Sequence, residues 1–378
     1  MDLRELDEPP RSADLVIIGA GIVGAATAFH AARAGLDCIL LERRSLPATL
    51  TTPRATGAFR LQFDNREELG LVSESVEMFL GFEQAHGHDI GIRQRGYLWC
   101  TMDEAGMPRQ QRLVEMQHGW GLTDVELLSG EDVRSRFPWV GERVLQARFR
   151  QGDGSLDPRA LTLGMLSASQ SSFVSECEVC EVVVDSGCVR GVRTSKGEVA
   201  CEQVVIAAGP FSGTMAATAG LKLPLTTVRR QKLIYANAPF VPQDSPMVID
   251  EETGAHWRPA LDGAFLLHTD ADEPESPAAD PVAIDHGLHR RLIDPDSPVS
   301  ICHVTPFWER AWTDGSLEWE IVAGQYTMTP DHRPLIGASG VEGLWLNCGY
   351  SGHGVMGSPA GSRLLIDIIC GQESVEGN

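Results

Sequence analysis

The stretch from residue 15 to residue 42, LVIIGAGIVGAATAFHAARAGLDCILLE, constrains the fold of this chain more than any other. It opens with four consecutive apolar residues, which are typical of a strand buried on both faces of a parallel sheet. An alanine-rich segment follows and indicates a helix that ends at Gly35, since glycine commonly terminates helices. A second apolar strand at residues 38–41 completes the pattern. The stretch therefore predicts a β-α-β unit.

The turn between the first strand and the helix has the spacing G-x-G-x-x-G. Gly19 permits the tight turn, Gly21 lets the backbone approach a pyrophosphate, and Gly24 allows the helix to pack closely on the strand. The helix N-terminus then faces the anion with free N–H groups and its positive pole. The chain is therefore predicted to bind a dinucleotide through Gly19, Gly21, Ile22, Val23, Gly24, Glu42 and Arg43.

Glu42 decides between two kinds of dinucleotide. It follows the glycines by about 20 residues, where an acidic side chain bonds the 2′-hydroxyl of an adenosine ribose. This carboxylate disfavours a 2′-phosphate, although Arg43 and Arg44 leave room for one. An ordinary α/β turn without a ligand is the alternative to both, and the complete strand-helix-strand-acid pattern argues against it.

The composition of the chain limits the kinds of partner that the protein can bind. Its 378 residues, long enough for two lobes, include 31 basic and 52 acidic side chains, a net charge of −21. Such a surface repels nucleic acid and anionic membranes, and the sequence shows neither an apolar span nor a signal peptide. We therefore expect a cytoplasmic protein with a small-molecule substrate and no nucleic-acid or membrane partner. Whether it forms a homo-oligomer is left open.

The nine cysteines have irregular spacing, which fits reduced thiols better than a disulfide framework. Cys177 and Cys180 form a C-x-x-C pair, which in other contexts is a redox couple or half of a metal site. The surrounding segment FVSECEVCEVVV has the composition of a strand, where positions three apart point to opposite faces. No metal site is therefore predicted.

A polar, turn-rich segment at residues 43–65 leaves the carboxyl end of the second strand, where ligands bind in a doubly wound sheet. It should therefore pass over the cofactor. Arg60 stands among apolar residues in this segment, so it is either a solvated loop residue or a buried anion receptor, and we favour the receptor. The hydroxyl groups and the flexible glycine that suit cofactor contacts are Thr51, Thr52, Thr56 and Gly57.

Several local signals predict further elements. The apolar spacing of residues 66–86 indicates a helix with one apolar face. Ser129 and Asp132 form a capping box, and Asp157 before Pro158 marks another helix start. Strands are expected at residues 178–184, 188–194, 198–201, 264–268 and 344–348.

Two segments that lie far apart in the sequence contain small residues of the kind that border a bound ligand. The strand within VVIAAGPFSG, residues 204–213, ends in Ala208 and Gly209. Placed beside the first glycine turn, this strand end gives a dinucleotide a second wall, which a simple NAD domain does not need. Near the C-terminus, a glycine-rich turn leads to a helix predicted to start at Ser358 and Pro359. Its positive pole would stabilise negative charge on a ligand.

Four blocks in this order resemble the D-amino-acid oxidase superfamily of FAD enzymes, and within it the glycine oxidase and sarcosine oxidase branch. The blocks are GAGIVG with Glu42, ATGAFRLQF, SLDPRAL with VVIAAGPFSG, and TPDHRPLIG followed by GYSGHGVMGSPAG. The resemblance implies an α/β fold with a Rossmann-like FAD-binding domain and an α+β substrate domain with a mixed sheet. The FAD-binding domain would comprise residues 1–90, 150–225 and 323–378, and the substrate domain residues 91–149 and 226–322.

The resemblance also implies roles for single residues. Arg60 matches an arginine that binds the substrate carboxylate, and Tyr326 matches a tyrosine that lines the pocket, with Arg258 expected nearby. His353, between two glycines, either acts near the flavin ring or is structural. Further FAD contacts are expected at Val179, Ala208, Gly209, Phe211, Gly352, His353, Gly354, Val355 and Met356.

Departures from the resemblance limit the chemistry. Soluble sarcosine oxidases attach flavin through a cysteine where Gly324 stands, which implies noncovalent FAD here. They also carry a lysine for oxygen activation on the strand at residues 264–268 and a second pocket lysine where Met356 stands, and this sequence has neither. Prompt reaction with oxygen is therefore in doubt. Phe59, Leu267 and Met356 indicate apolar space for a substituent on the amine.

The leading hypothesis is oxidation of a small amino acid or N-substituted glycine by hydride transfer from its α-carbon to flavin N5. The resulting imine hydrolyses to glyoxylate or another oxo acid and an amine, and O2 is reduced to hydrogen peroxide. One alternative is an FAD dehydrogenase of proline-like amino acids or 2-hydroxy acids with a different electron acceptor. Another is a nonenzymatic NAD-binding protein.

Overall fold

The computed structural model describes residues 3–372. Within them, no helix is both long and apolar enough to cross a membrane. The α-helices are α1 Ile22–Arg33, α2 Arg66–His86, α3 Met107–Gly119, α4 Gly130–Arg136, α5 Pro158–Ser169, α6 Ser212–Thr218, α7 Gly287–Ile293, α8 Glu309–Thr313 and α9 Gly354–Ile369. The strands are β1 Arg4–Glu5, β2 Leu15–Ile18, β3 Cys38–Leu41, β4 Ala58–Phe59, β5 Tyr97–Thr101, β6 Glu126–Ser129, β7 Gln146–Arg150, β8 Gly154–Ser155, β9 Ser172–Val174, β10 Val179–Asp185, β11 Cys188–Thr194, β12 Gly197–Ala200, β13 Gln203–Ile206, β14 Thr226–Tyr235, β15 Met247–Asp250, β16 Ala255–Ala260, β17 Gly263–His268, β18 Glu320–Met328, β19 Leu335–Ala338 and β20 Leu344–Cys348.

The first lobe is built on a seven-stranded sheet with the order β1-β9-β3-β2-β13-β20-β19. Its strands are parallel except for the edge strand β19. The predicted β-α-β unit is β2, α1 and β3, and β13 and β20 extend the sheet on the other side of β2. Because the carboxyl ends of parallel strands lie at one edge of a sheet, this order brings three distant segments together there.

Both faces of this sheet are covered. Helix α1 packs against α5 and α9 on one face, and the small three-stranded sheet β10-β11-β12 packs on the other. All four residues of β2 are buried as a result. This explains why β2 reads as a continuous apolar run instead of an alternating one.

The second lobe contains an eight-stranded mixed sheet with the order β18-β14-β17-β16-β15-β5-β7-β6. One face buries Trp257 and Trp308 against α4, α7 and α8. Along β14 the side chains alternate: Leu233 and Tyr235 enter that core, whereas Lys232 reaches the first lobe. The predicted Rossmann-like lobe with a mixed-sheet second lobe is confirmed. The domain boundary predicted at residue 323 falls inside β18, which pairs with β14 along most of its length.

Local signals set most boundaries. Helix α2 spans the predicted 66–86, Ser129 and Asp132 form the predicted capping box, and Asp157 accepts hydrogen bonds from the first turn of α5. The C-x-x-C segment is not one strand, because β9 ends before it and β10 starts within it. Buried Cys177 lies in the connection and Cys180 is exposed, and both are free thiols.

The start of the last helix was predicted wrongly. Helix α9 begins at Gly354, so Pro359 lies inside it. The reason is that the turn is completed early: Gly349, Ser351 and Gly352 all have positive φ angles, and the amide of Gly357 already donates to the carbonyl of His353 at 2.8 Å.

Candidate functional site

A cavity of about 490 Å³ lies at the carboxyl ends of β2, β3, β13 and β20. The first glycine turn, the end of β13 and the glycine-rich turn before α9 all line it, so the three segments predicted to form one site do converge. The predicted residues that line the cavity are Gly19, Gly21, Ile22, Val23, Glu42, Arg43, Thr51, Thr52, Val179, Ala208, Gly209, Phe211, Tyr326, Gly352, Gly354 and Val355.

The N-terminus of α1 is arranged to receive an anion. Its N-cap is Gly21, which offers no capping side chain, and the first turn contains no acidic residue. The hydroxyl of Thr52 accepts a hydrogen bond from the amide of Ile22 at 3.1 Å, which attaches the turn at residues 52–54 to the helix start. The remaining amides and the helix dipole favour negative charge at this end of the cavity.

Gly19 closes the turn against β13. Its φ angle is +104°, and a Cβ atom at this position would lie 2.8 Å from the carbonyl oxygen of Ala207. A side chain would therefore separate the first strand from the second wall of the cavity. Gly24 acts behind the cavity, where it lets α1 contact the same turn.

Glu42 is fixed at the cavity wall by two backbone amides. Its Oε2 accepts from Ala20 at 2.8 Å and its Oε1 from Arg44 at 2.9 Å. Arg43 and Arg44 both form ion pairs with Asp280, and the guanidinium of Arg43 also lies 3.9 Å from the ring centroid of Phe211. The two arginines thus share one carboxylate, which offsets one of their two positive charges and weakens the support for a 2′-phosphate.

The opposite end of the cavity suits a polar ring. Among the described residues the buried hydroxyl of Thr51 has no hydrogen-bond partner, and Thr51 lines the cavity. Helix α9 starts here without a capping side chain or an acidic residue in its first turn. The ring of Tyr326 packs so closely on Gly352 that a Cβ atom there would lie 2.5 Å from it. These features fit FAD, whose pyrophosphate would be held by the start of α1 and whose flavin would be held by the start of α9.

Arg60 lies half-buried next to this end of the cavity. It donates to the carbonyl of Gln62 at 3.0 Å, its Nη2 is 3.4 Å from Nε2 of His353, and its guanidinium is 4.2 Å from the ring centroid of Phe63. No carboxylate among residues 3–372 lies within 4.0 Å of its nitrogens. Its guanidinium therefore forms no direct ion pair within this part of the chain.

Glu68, which the sequence analysis did not single out, contacts the other side of His353. Its Oε1 lies 3.2 Å from Nδ1 of His353. Burial disfavours the charged form of Glu68, but His353, Asn65 and Arg60 outweigh it and lower its pKa to about 2. An ionised carboxylate and Arg60 thus lie on opposite sides of the His353 ring. In the sequence Glu68 is only one acidic residue in the first turn of a helix.

The predicted residues Thr56, Gly57, Arg258 and Met356 do not line the cavity. Arg258 donates to the carbonyls of Thr56 and Pro259, so its guanidinium is committed to backbone oxygens. At Gly57, a Cβ atom would lie 2.0 Å from the carbonyl oxygen of Leu156, so this glycine serves packing. Phe59 and Met356, which were expected to border apolar space for an amine substituent, do not line the cavity and pack in the core of the first lobe.

A lysine side chain does reach the region of the site, but it comes from β14, where the sequence analysis did not expect one. Lys232 on β14 donates to the carbonyls of Pro53 and Ala55, and its Nζ lies 4.2 Å from the ring centroid of Phe265. Phe265 is on β17, the strand that lacks a lysine. Burial lowers the pKa of Lys232 to about 8. The signal in the sequence was the alternation of β14, which places Lys232 on the face opposite Leu233.

Aromatic residues complete the substrate side. Tyr97 is buried, packs with Met247, Ile249 and Ala58, and has Trp99 as a tilted neighbour with ring centroids 6.3 Å apart. The guanidinium of Arg60 lies 5.4 Å from the ring centroid of Trp99. Burial raises the pKa of Tyr97, so its hydroxyl is neutral. The space beside Arg60 is therefore bordered by rings and neutral hydroxyl groups.

Residues 14–368 match the family model described as DAO, FAD dependent oxidoreductase. Mitochondrial dimethylglycine dehydrogenase of Rattus norvegicus is 26% identical over 97% of this chain and 45% of that protein, and glycine oxidase of Pseudomonas aeruginosa is 27% identical over 96% of both. The chain spans less than half the length of the mitochondrial dehydrogenases it matches. The crystal structure of L-proline dehydrogenase from P. horikoshii has the same fold, with a TM-score of 0.85 and 24% identity over 97% of this chain and 96% of that chain. The chain therefore belongs to the DAO family of FAD-dependent oxidoreductases, and FAD is its cofactor.

Proposed function

We propose that the protein oxidises the C–N bond of a small amino acid or N-substituted glycine, giving an imine that hydrolyses to an oxo acid and an amine. The observation that carries this proposal is the guanidinium of Arg60, which forms no ion pair among the described residues and whose Nη2 lies 3.4 Å from Nε2 of His353, beside the cavity. Arginine offers parallel N–H donors that match a carboxylate. Relatives named glycine oxidase and sarcosine dehydrogenase, each matching 96% of this chain, support the same substrate class.

The cofactor would be held without a covalent bond. Gly19, Gly21 and the first turn of α1 would bind its pyrophosphate, Glu42 its ribose, and the start of α9 its flavin. Gly324, which has no side chain to attach flavin, has Thr51 and Arg54 as neighbours. FAD supplies a two-electron acceptor for the hydride that leaves the α-carbon.

The protein's own residues then orient the substrate and control its protonation. Arg60 fixes the carboxylate, while Phe63 and Trp99 flank the guanidinium and exclude water from this contact. Only the neutral amine can release a hydride, and a nearby cation lowers the pKa of the bound ammonium group. Glu68 and His353 act as positioning residues, because they restrict the orientation of Arg60.

Replacement of Arg60 tests this proposal. Arg60→Met removes charge-assisted hydrogen bonds to the carboxylate, each contributing roughly 1.5–3 kcal/mol, so KM for the best glycine derivative should rise at least about tenfold. The substrate is first selected by flavin bleaching without oxygen, using glycine, N-methylglycine and longer N-alkylglycines. Arg112→Met, at an exposed position on α3, is the matched control. An unchanged KM in Arg60→Met would show that the carboxylate binds elsewhere.

A second candidate differs in the electron acceptor and includes proline-like amino acids or 2-hydroxy acids as donors. It is favoured by Lys232, which is hydrogen bonded to two carbonyls, and by Phe265 on the strand that carries no lysine. The two candidates separate when oxygen consumption is compared with dye reduction at saturating substrate. Rapid oxygen consumption supports the oxidase, and dye reduction alone supports the dehydrogenase.

A further inference from the structure

Arg230 is a second cation near the flavin end of the site that forms no ion pair with a carboxylate of the described chain. It lies on β14 opposite Gly324, and its guanidinium is 5.6 Å from the ring centroid of Tyr326. Within residues 3–372 its one hydrogen bond goes to the carbonyl of Arg229 at 3.2 Å, and its buried Nε has no partner. No carboxylate in that part of the chain lies within 4.0 Å.

The alternation of β14 directs Arg230 toward the site and its neighbour away from it. Arg230 shares a strand face with Lys232, which reaches the first lobe. Arg229, on the opposite face, is paired with Glu273 at 2.8 Å. One of two adjacent arginines is thus satisfied by the protein, whereas the other carries a buried donor with no acceptor, an arrangement that is costly without a ligand.

Tyr326 and the turn before α9 connect Arg230 to Arg60. The guanidinium of Arg230 lies 5.6 Å from the ring centroid of Tyr326, and this ring packs against Gly352. The next residue, His353, has its Nε2 3.4 Å from Nη2 of Arg60. Tyr326 also lines the cavity. A substrate that lies along this turn with one carboxylate on Arg60 would therefore extend its far end toward Arg230.

We propose that Arg230 is a second anion receptor and that the preferred substrate is a secondary amine with a carboxylate on each arm, an N-(carboxyalkyl)glycine. The inference rests on the function proposed above, in which Arg60 binds the glycine carboxylate. Arg230 would then pair with the carboxylate of the N-substituent through parallel N–H donors. An apolar substituent, by contrast, would bury Arg230 without an anion, which is unfavourable.

Binding of two unreactive analogues to the FAD-loaded enzyme tests this inference. Oxydiacetate has an ether oxygen in place of the amine and two carboxylates, whereas methoxyacetate keeps only one. By titration calorimetry the wild type should bind oxydiacetate at least about tenfold more tightly. Arg230→Gln should abolish this preference without lowering the affinity for methoxyacetate. Arg60→Gln should lower the affinity for both analogues. Arg229→Gln should change either affinity by less than about twofold.

The wild-type comparison needs no variant to fold, so it decides the inference alone. Equal affinity for the two analogues, or no binding of either, overturns a second anion receptor. A preference that survives Arg230→Gln assigns the second carboxylate to another residue and overturns the role of Arg230. The proposed function fails by a different result, namely no flavin bleaching by iminodiacetate or N-methylglycine.

Discussion

Gly24→Ala tests whether close contact between α1 and the glycine turn supports both stability and cofactor binding. A Cβ atom at this position would lie 1.9 Å from the carbonyl oxygen of Gly19, although such atoms do not approach closer than 3.0 Å in proteins. The helix and the turn must therefore separate by about 1.1 Å. Because the obstructing atom belongs to the backbone, no side-chain rotation relieves the clash.

The expected magnitude follows from two opposing effects. Overpacking of this kind costs roughly 1–3 kcal/mol, and a rigid backbone contact favours the upper end. Alanine is better than glycine inside a helix by about 1 kcal/mol, so the net loss of unfolding free energy should be about 2 kcal/mol. Gly70→Ala in α2, where no atom lies within 4 Å of the new methyl group, has only the favourable effect and should stabilise by about 0.5–1 kcal/mol.

Denaturant unfolding of the FAD-free proteins, followed by circular dichroism, measures both changes, and flavin fluorescence measures FAD affinity. In Gly24→Ala, displacement of the turn should lower the affinity for FAD at least about tenfold, equivalent to about 1.4 kcal/mol. Gly70→Ala should leave this affinity unchanged. The reasoning is refuted by a Gly24→Ala protein that matches Gly70→Ala in stability and the wild type in FAD affinity.

Two further predictions concern buried polar groups. Thr52→Val removes the acceptor for the amide of Ile22 and should cost about 1–2 kcal/mol of unfolding free energy, whereas Thr52→Ser should retain most of it; both are measured by denaturant titration. Burial lowers the pKa of His30 and of His256 to about 4, so between about pH 6.5 and pH 4 the unfolded chain binds protons that the folded chain refuses. The free energy of unfolding should therefore fall with pH by up to about 1.4 kcal/mol per pH unit for each histidine. The double variant His30→Gln/His256→Gln should lose this slope in denaturant titrations at several pH values. An unchanged slope would show that neither histidine is responsible.

The β-α-β unit was predictable because its signals are local. The turn glycines, the alanine-rich helix and Glu42 lie within one continuous stretch, and each has a conformational or chemical reason that does not depend on the rest of the chain. The placement of β13 and β20 beside β2 has no such local signal, because pairing in a parallel sheet joins distant segments. Their convergence followed from the family resemblance. Family membership as an oxidoreductase also overturns the alternative of a nonenzymatic NAD-binding protein.

Side-chain direction was the part that the sequence could not settle. Phe59 and Arg60 are adjacent, yet one enters the core and the other faces the site. Met356 was expected beside the cofactor, but the early start of α9 turns it into the core. Glu68 and Arg230 were missed because a helix-start glutamate and a strand arginine are common surface residues, and only tertiary contacts distinguish them.

The net charge of the chain and the charge of the two proposed anion receptors have opposite signs. The net charge of −21 disfavours the approach of a carboxylated substrate, but salt screens exposed charges beyond about 8 Å at physiological ionic strength. As proposed anion receptors, Arg60 and Arg230 would act at shorter range, where burial reduces screening and the paired donors recognise a carboxylate by shape as well as by charge. The acidic surface therefore contributes little to substrate choice. In the proposed function, selection depends on the two guanidinium groups that form no ion pair among residues 3–372.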